Sequence, residues 1–580
     1  MDVRHVDTLV VGGGPVGLIT GYQLARFGIS VAIIEKQPKS AQDEYGRAIT
    51  LYPRSSEMLD QLGLADELAQ QCFACRETAS YDPQGNEVHD GRGWHFMENM
   101  KDTAWDFALV LRQKYQEDIF RQALRKHGVA VEAPVSLTSI YIDSVVPQND
   151  YKVTATVTDG KTGAESKIKC KYLIGCDGGR STVRRQMSIP FLESTSESRW
   201  VRIDGVVKTN MPKPRTYCAI ESPTHGNVLW VALDRGSTRI GYAFTAERAK
   251  AYEIFDKAAA IKEAIAAVKP FELSFDQVDW WTIYSVGQRV AEHFFREGCV
   301  FLAGDACHTH SSGAAQGMNT GLHDSVNLAW KLALVLKGIA KSEILDTYEK
   351  ERLPNVEKLI NYDKDIARLM TMQLPEGWLG DKTADPNEVL GHVMKEAATF
   401  SSGLGIFYEL KADNPLSVMG SFACSEGLQA VRPGKRAPDV SIQKPGTFEI
   451  TRLIKQTPND ARFYVMLLAG NLSHTRPYLV DFEKRLRHSP LAISGNAPIS
   501  WRTIPATAGP SAYELLGIEP MGRVFYDRDQ TVHERYGVDV EKGAVVIVRP
   551  DGWIGTMTRL DECPLKEIEN YFRRILVAVS

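Results

Sequence analysis

The sequence predicts an α/β protein of several domains, in which a Rossmann-type nucleotide-binding domain carries an inserted antiparallel sheet and a smaller α/β domain follows. Three observations support this fold class. A glycine-rich turn links an apolar strand to a helix near the amino terminus, residues 199–285 alternate between polar and apolar side chains, and strand and helix patterns alternate again after residue 433. A chain of 580 residues is also too long for a single hydrophobic core.

The first strand pattern, Asp7–Val11, leads directly into a turn with three spaced glycines. We expect Gly12 to allow the tight turn, Gly14 to let the backbone approach a pyrophosphate, and Gly17 to let helix and strand pack closely. A helical pattern and a second apolar strand follow, and that strand ends in Glu35, which suits the hydroxyls of a ribose. Because all these parts occur in the required order, the stretch predicts nucleotide binding rather than a turn that is merely rich in glycine.

Three later segments extend the nucleotide domain. Arg47 follows the second strand closely enough to reach a cofactor phosphate, and Gln113 begins an amphipathic helical pattern that runs to Leu124. The strand Lys171–Gly175 then delivers Asp177 and a pair of glycines.

The inserted sheet is predicted from alternation with a period of two residues, which is typical of strands with one solvated face. The strand patterns are Trp200–Val207, Tyr217–Glu221, Val228–Leu233 and Thr238–Phe244; a helical segment, Ala258–Val268, separates them from residues 278–290. A sheet inserted between the halves of a nucleotide fold is a natural lid for a substrate pocket.

A second binding loop is predicted after the apolar strand Cys299–Ala303. The loop runs from Asp305 to Asn319, is rich in glycine and small residues, and continues into a helix that extends to about Leu336. Backbone N–H groups and the positive end of the helix dipole point into such a loop and suit a phosphate or an anionic ring. Asp305 lies at the strand exit, where its carboxylate can accept hydrogen bonds from ligand hydroxyls.

Composition and charge limit the function classes. The net charge of −4 and the pI near 6.4 give no reason to expect nucleic acid or an anionic membrane as a partner, and no apolar run approaches the ~18 residues of a membrane span. Nine cysteines without regular spacing do not resemble a disulfide framework, and the pair Cys72 and Cys75 is interpreted as two buried thiols. With no signal peptide evident, we expect a cytoplasmic protein that binds small molecules.

Several motifs taken together resemble the phenol 2-monooxygenase family of single-component FAD-dependent aromatic hydroxylases, over most of the chain. They are the Gly12–Gly17 turn, Asp177-Gly178 with Arg184, the segments 304–311 and 316–319, the segment 284–289, and the segments 327–332 and 347–352. That family ends in a thioredoxin-like domain without its redox pair, and residues 433–580 likewise contain no Cys-x-x-Cys.

The resemblance implies a domain plan and an activity. The FAD-binding domain would comprise residues 1–75, 109–190 and 286–372, the substrate domain 76–108 and 191–285, a helical connection 373–432, and the thioredoxin-like domain 433–580. The enzyme would use NADPH and O2 to hydroxylate a phenolic substrate through a flavin C4a-hydroperoxide, and a homodimer is possible. The alternatives are decarboxylating hydroxylation of a 4-hydroxybenzoate-like substrate and a flavin-binding protein without hydroxylase activity.

The resemblance also implies roles for individual residues. The ADP half of FAD would be held around Gly12, Gly14, Pro15, Gly17, Glu35 and Lys36. Arg47 and Gln113 would lie along the pyrophosphate and ribityl region, Asp305 would bind the same region, and Asp177 would serve both FAD and the nicotinamide. Backbone amides of Gly317, Met318 and Asn319 would face the isoalloxazine. Tyr284 would be catalytic, through a hydrogen bond to the phenol oxygen.

Two positions depart from the family pattern. Ile49 stands where the family places an aspartate that accepts the phenol proton, and Ser312 replaces a proline of the flavin loop. Since an aliphatic side chain cannot take a proton, either another group such as Tyr284 serves as the base or the substrate differs.

Other site chemistries are weaker. His308, His310 and Asp305 could be interpreted as metal ligands, but no further well-spaced ligand is evident, so no metal site is predicted. A flavin dehydrogenase or halogenase would use the same fold, but the halogenase motif Trp-x-Trp-x-Ile-Pro is absent, as is the Gly-x-Ser-x-Gly elbow of hydrolases.

Overall fold

The computed structural model describes residues 3–45, 48–89, 100, 102–147, 150–194, 199–285, 287–311, 315–422, 431–493, 498–562, 564–577 and 579. Up to residue 194 the strands are β1 (Val3–Val11), β2 (Val31–Ile34), β3 (Thr50–Leu51), β4 (Phe73–Cys75), β5 (Thr78–Tyr81), β6 (Ala108–Val110), β7 (Val131–Glu132), β8 (Val135–Ile142), β9 (Val153–Asp159), β10 (Glu165–Gly175) and β11 (Phe191–Ser194). The helices of this part are α1 (Pro15–Arg26), α2 (Lys39–Tyr45), α3 (Pro53–Gln61), α4 (Ala65–Gln71), α5 (Gln113–Arg125) and α6 (Thr182–Gln186).

The middle of the chain contributes β12 (Arg199–Thr209), β13 (Tyr217–Ser222), β14 (Gly226–Ala232), β15 (Thr238–Ala243), α7 (Ala246–Lys250), α8 (Lys257–Ala267), β16 (Leu273–Ser285), β17 (Gln288–Ala291), β18 (Phe295–Arg296), β19 (Val300–Leu302) and β20 (His308–Thr309). Four helices follow: α9 (Gly317–Leu336), α10 (Thr347–Met370), α11 (Pro386–Glu396) and α12 (Ala398–Ser401). The last part holds β21 (Ser441–Gln443), β22 (Ile450–Arg452), α13 (Leu453–Gln456), β23 (Phe463–Gly470), α14 (Leu472–Leu486), α15 (Pro490–Ile493), β24 (Ile499–Pro505), α16 (Ala512–Leu516), β25 (Arg523–Val524), α17 (Thr531–Arg535), β26 (Ala544–Val548), β27 (Ile554–Arg559) and α18 (Leu565–Ile575).

The nucleotide sheet is built around β1, which lies between β10 and β2, all three parallel. The register pairs Val11 with both Gly175 and Ile34, and Gly175 with Leu302 of β19. Because parallel strands end at the same edge of a sheet, the segments that follow these four strands converge there. This convergence confirms the predicted α/β fold class and explains why widely separated motifs form one site.

The inserted sheet has the strand order β16-β12-β15-β14-β13-β5. Its strands are antiparallel, as predicted, except that β5 joins β13 in parallel. One face packs on α8, where the Tyr242 hydroxyl donates to the Ala260 carbonyl at 3.0 Å. Residues 278–290 divide between β16 of this sheet and β17, which pairs with β11 and β20 in a separate small sheet.

Arg112 fixes the inserted sheet against the nucleotide domain. Its backbone N–H donates to Asp234 at 2.8 Å, and its guanidinium bonds Asp234 at 2.8 Å and Asp279 at 2.7 Å. A planar guanidinium that bridges two carboxylates holds both in one orientation, so the sheet has a defined position over the convergent edge.

The carboxy-terminal sheet has the order β25-β24-β23-β26-β27, with three parallel strands followed by two antiparallel ones. This agrees with the predicted thioredoxin-like class. The domain contacts α9 and α10 through a buried ionic cluster, in which Glu351 bonds Arg549 at 2.6 Å and Lys331 at 2.8 Å. Arg549 also bonds Asp551 at 2.6 Å, and these side chains are at most 1% exposed.

Two further predictions concern cysteines and the membrane. Cys72 and Cys75 are free thiols; Cys75 is buried, whereas Cys72 is only half-buried. Over the part of the chain that the structure describes, none of the helices combines the length and the apolar character that a bilayer span requires.

Candidate active site

A cavity of about 970 Å³ lies between the convergent edge of the nucleotide sheet and one face of the inserted sheet. Eight of the residues predicted for the site line it: Gly14, Pro15, Lys36, Gln113, Asp177, Asp305, Gly317 and Met318. Opposite them, the inserted sheet contributes Tyr217, Leu229 and Ile283 together with Arg202 and Arg239, and Ile49 lies in the same cavity.

The three spaced glycines differ in what surrounds them. A Cβ on Gly12 would lie 2.2 Å from the Cys176 carbonyl oxygen, and one on Gly17 would lie 2.0 Å from the Gly12 carbonyl oxygen, so both positions are closed to any larger residue. A Cβ on Gly14 would meet no atom within 4 Å. Gly14 therefore presents bare backbone to the cavity at the first turn of α1, which suits a pyrophosphate.

Glu35 is held by the backbone at the end of β2. The N–H of Gly13 donates to one carboxylate oxygen and the N–H of Gln37 to the other, each at 2.8 Å. A carboxylate oxygen accepts more than one hydrogen bond, so Glu35 keeps the capacity to bind ribose hydroxyls in a fixed orientation. Lys36 is exposed beside it, and Arg47 lies outside the described residues.

One face of α5 supports the nucleotide loop with residues spaced four apart. Gln113 accepts from the Ala48 N–H at 3.2 Å and donates to Glu117 at 2.7 Å, and Arg121 donates to the Gly13 carbonyl at 3.0 Å. Burial raises the pKa of Glu117 to about 7, although Gln113, Lys39 and Arg121 oppose the rise. Of these three residues the sequence predicts only Gln113 for the site, because Glu117 and Arg121 resemble solvated charges until the helix is docked.

Asp177 lines the cavity, but its carboxylate caps α6. It accepts from the Ser181 hydroxyl at 2.5 Å and from the Thr182 N–H at 2.6 Å. The next residue, Gly178, has φ of +80° and no atom within 4 Å of a Cβ position, so it leaves the cavity wall open at this point.

The loop that follows β19 is anchored by Asp324 of α9. The carboxylate accepts from the Gly304 N–H at 3.0 Å, from His308 Nε2 at 2.7 Å and from Arg352 Nε at 2.7 Å. Burial by itself would raise the pKa of Asp324, but His308 and Arg352 lower it to about 2. This anchor fixes the turn that carries Asp305, whose own side chain is exposed toward the cavity.

A second buried carboxylate, Asp363 of α10, fixes the next part of the loop. It accepts from the Ser311 N–H at 2.7 Å, from the Ser311 hydroxyl at 2.5 Å and from Gln288 at 2.8 Å. Neither Asp324 nor Asp363 is predicted for the site from the sequence. For Asp324 the available signal was an acidic residue inside a helix, α9, whose 20 residues include one other charged side chain, Lys331.

The helix α9 begins at Gly317, two residues earlier than predicted, and its first backbone N–H groups lie at the cavity. The Asn319 side chain is turned to other backbone groups instead. Its oxygen accepts from the Tyr52 N–H at 2.8 Å, and its amide donates to the carbonyls of Thr50 at 3.0 Å and Ala315 at 2.9 Å. Asn319 therefore clamps β3, next to Ile49, onto the start of α9.

The residues that come close enough to hold a metal ion in the structure differ from those considered in the sequence. The ligand atoms of Cys307, His308 and Asp324 lie within 4.8 Å of one another, whereas the group considered and rejected from the sequence was His308, His310 and Asp305. Arg352 shares the Asp324 carboxylate, however, and a guanidinium at that distance would repel a cation. The cluster is better explained as the anchor of the loop.

The part of the cavity around Ile49 has an apolar wall. Ile49 is 6% exposed and packs in one cluster with Tyr217 and Leu229. The backbone of Tyr284 pairs with Trp200 in the inserted sheet, but the Tyr284 side chain lies outside the described residues, as does Ser312.

Comparison with known proteins gives two family matches. Residues 5–363 match the FAD binding domain, and residues 504–580 match the phenol hydroxylase C-terminal dimerisation domain. The chain is 28% identical to the FAD-dependent monooxygenase terD of Aspergillus terreus, over 98% of this chain and 96% of the relative. It is 27% identical to 3-hydroxybenzoate 4-monooxygenase of Comamonas testosteroni, over 96% and 93%. The fold is similar to that of aklavinone-11 hydroxylase, solved with FAD and aklavinone, with a TM-score of 0.73, 23% identity and 99% coverage of both chains.

The residues at the cavity fit such a dinucleotide. Bare backbone at Gly14, the fixed carboxylate of Glu35 and the N-termini of α1 and α9 offer the groups that bind pyrophosphate, ribose and an anionic ring.

We expect Asp324→Asn to weaken flavin retention. The change leaves Arg352 and His308 buried without their anionic partner, which costs about 3–5 kcal/mol and releases the loop after β19. Heating the holoprotein while following the fluorescence of released FAD measures the effect. The control is Asp346→Asn, an exposed residue at the start of α10. Equal release temperatures for the wild type and Asp324→Asn would contradict the anchoring role.

Glu117 gives a prediction for pH. Its folded pKa of about 7 lies above the unfolded value near 4.5, so the folded state is destabilised as pH rises from about 4.5 through 7, by about 3 kcal/mol. Glu117→Gln should therefore lose less thermal stability than the wild type between pH 5.5 and 8, measured by calorimetry of the holoprotein. The exposed Glu67→Gln serves as control. If thermal stability changes with pH in the same way for the wild type and Glu117→Gln, the pKa of Glu117 is not raised in the folded protein.

Proposed function

The chain belongs to the phenol 2-monooxygenase-like family of FAD-dependent aromatic monooxygenases, and from this premise we propose that it hydroxylates a phenolic substrate with NAD(P)H and O2. The observation that carries the proposal is the meeting, in one cavity, of the dinucleotide elements with an apolar wall from the inserted sheet. When bound, FAD supplies the chemistry: after reduction it activates dioxygen and transfers one oxygen atom to an electron-rich ring.

The residues of the chain contribute position, polarity and the exclusion of water. The first N–H groups of α9 would stabilise negative charge on the flavin ring, because preorganised donors are most effective where charge develops. The apolar wall with Ile49, Tyr217 and Leu229 supports the proposal, since it would hold an aromatic ring and keep water away from the reacting oxygen. Tyr284, on β16 of the same wall, is proposed to hydrogen-bond the phenol oxygen.

The co-substrate and the assembly are also proposals. NADPH rather than NADH rests on the family resemblance, as does a binding role for the loop at Asp177 and Gly178. A homodimer is supported by the match of residues 504–580 to a dimerisation domain, and the division into domains at residues 373 and 433 belongs to the same proposal. The free cysteines among the described residues are consistent with a cytoplasmic enzyme.

A second candidate reaction is decarboxylating hydroxylation of a 4-hydroxybenzoate-like substrate. Ile49 favours it, since the family's usual proton acceptor is missing from a position in the cavity wall. The name of the relative 3-hydroxybenzoate 4-monooxygenase supports a carboxylated substrate as well.

The proposal is tested by oxygen-dependent NADPH oxidation with phenols, alkylphenols and hydroxybenzoates, combined with product masses. We expect at least one aromatic to accelerate oxidation and to gain one oxygen atom, and loss of a carboxylate would select the second reaction. The control is Gly14→Glu: its side chain would enter open space in the cavity, so the protein should fold but lose FAD. If no aromatic changes the rate, the protein binds flavin for another purpose or acts outside this panel.

Tyr284→Phe should lower the hydroxylation rate by about tenfold or more while FAD stays bound, because one hydrogen bond to the reacting oxygen is lost. The measurement is product formation per NADPH oxidised, with flavin content recorded in parallel. Unchanged product formation would remove Tyr284 from the mechanism.

A further inference from the structure

We propose that the carboxy-terminal part of the chain holds a second small-molecule site, which binds neutral phenols and other aromatic alcohols. The site is a cavity of about 420 Å³ between the β21–β22 hairpin and the segment that runs from Tyr526 into α17. Among the described residues, those that line this cavity and those that line the cofactor cavity form separate sets. The inference does not depend on the proposed hydroxylation.

The floor of this cavity is a row of three side chains on three adjacent extended segments. Gln443 lies at the centre, opposite Ile450 of β22 on one side and opposite Tyr526 on the other. The N–H of Gln443 donates to the Tyr526 carbonyl at 2.9 Å, and the N–H of Tyr526 donates to the Gln443 carbonyl at 2.8 Å. Residues directly opposite each other in antiparallel strands point to the same face, with Cβ atoms about 5 Å apart. All three residues line the cavity, so the side chains of Gln443 and Tyr526 are neighbours there.

Two polar groups of this row are left without a hydrogen bond. Tyr526 is 1% exposed, and neither its hydroxyl nor the buried side-chain oxygen of Gln443 is bonded to any described residue. An unpaired buried polar group costs free energy, so natural proteins pair nearly all of them. Burial raises the pKa of Tyr526, so its hydroxyl keeps a proton to donate. One ligand hydroxyl satisfies both groups, because it accepts from Tyr526 and donates to Gln443.

The surroundings of this pair favour an aromatic ring on the ligand. Val440 and Ile442 also line the cavity, and Ile450 of the floor is 68% exposed. Phe448, between the two strands of the hairpin, is 44% exposed, and its ring centroid lies 6.1 Å from that of Tyr526. Exposed apolar side chains gathered at one cavity gain free energy when a ring covers them and removes them from water.

The charges around the cavity balance, which favours a neutral ligand. The charged residues among its described lining are Arg452, Arg528, Arg535, Asp439, Asp527 and Asp529. Arg452 bonds Asp439 at 2.6 Å, and Arg535 pairs with Asp102 of an earlier segment. The formal charges of the lining thus sum to zero. A carboxylate or phenolate would lose its hydration here without a net positive charge to offset the loss.

The test measures binding to the FAD-loaded protein without NADPH. The probe is 4-fluorophenol at about pH 7, where a phenol is neutral, and its methyl ether 4-fluoroanisole keeps the ring but has no proton to donate. Fluorine NMR detects every bound molecule, whereas flavin absorbance reports a ligand beside the cofactor. The proteins are the wild type, Tyr526→Phe, Gln443→Met and, as control, Tyr513→Phe, which removes the hydroxyl of an exposed tyrosine in α16.

We expect 4-fluorophenol to bind the wild type at a site that leaves the flavin absorbance unchanged. Tyr526→Phe and Gln443→Met should each weaken binding at this site about fivefold or more, because one hydrogen bond to a buried group is lost. Gln443→Met should bind 4-fluoroanisole as the wild type does, and Tyr513→Phe should match the wild type with both probes. Tyr526→Phe should also unfold at a temperature no lower than the wild type, since the hydroxyl that it loses is unpaired.

The proposal is overturned if 4-fluorophenol does not bind, or if all its binding changes the flavin absorbance, since every bound molecule would then lie beside the cofactor. Equal affinity of the wild type, Tyr526→Phe and Gln443→Met at the second site would also overturn it and would assign the two polar groups to water. Tighter binding of 3-hydroxybenzoate than of 4-fluorophenol at that site would contradict a neutral ligand. Because no turnover takes place, these results are independent of whether the protein inserts oxygen.

Discussion

The candidate site depends first on one buried carboxylate, Asp324. It joins three parts of the chain at one point: the turn after β19 through Gly304, the loop through His308, and α10 through Arg352. A buried charge is stable only when its partners are complete, so the three segments have one allowed arrangement. That arrangement sets the turn of Asp305 and the direction in which α9 leaves the loop.

The other parts of the site are positioned relative to Asp324 by further contacts. α9 packs closely on α1 at Gly321, which has no side chain. A Cβ at this position would lie 2.5 Å from the Val16 side chain, so the close approach requires glycine. The two helices therefore bring their N-termini to the same cavity. Arg112 then holds the inserted sheet above them through Asp234 and Asp279. The distance between the dinucleotide elements and the apolar wall is thus fixed by buried ionic contacts on both sides.

The carboxy-terminal part of the chain contributes to this framework by contact. Its Arg549 binds Glu351 of α10, and its Asp551 accepts from the Trp330 indole of α9 at 3.1 Å. The two helices that carry the loop anchors, α9 and α10, are therefore also fixed by contacts with the carboxy-terminal part of the chain. The domain is coupled to the site through the same two helices that Asp324 and Asp363 belong to.

The sequence alone determined the fold class, the glycine turn at Gly12–Gly17 and the alternating strands of the inserted sheet, because these follow from local spacing and periodicity. Tertiary structure decided which charges matter. Asp324, Asp363 and Glu117 resemble ordinary solvated residues in the sequence. The partners His308 of Asp324 and Ser311 of Asp363 lie 16 and 52 residues away on other segments, and Glu117 becomes buried only when α5 is docked. Asn319 likewise proved to be a clamp for β3, since its side chain meets Tyr52 only after folding. The physical reason is burial: the cost of removing a charge from water, and the contacts that offset it, exist only when distant segments are packed together.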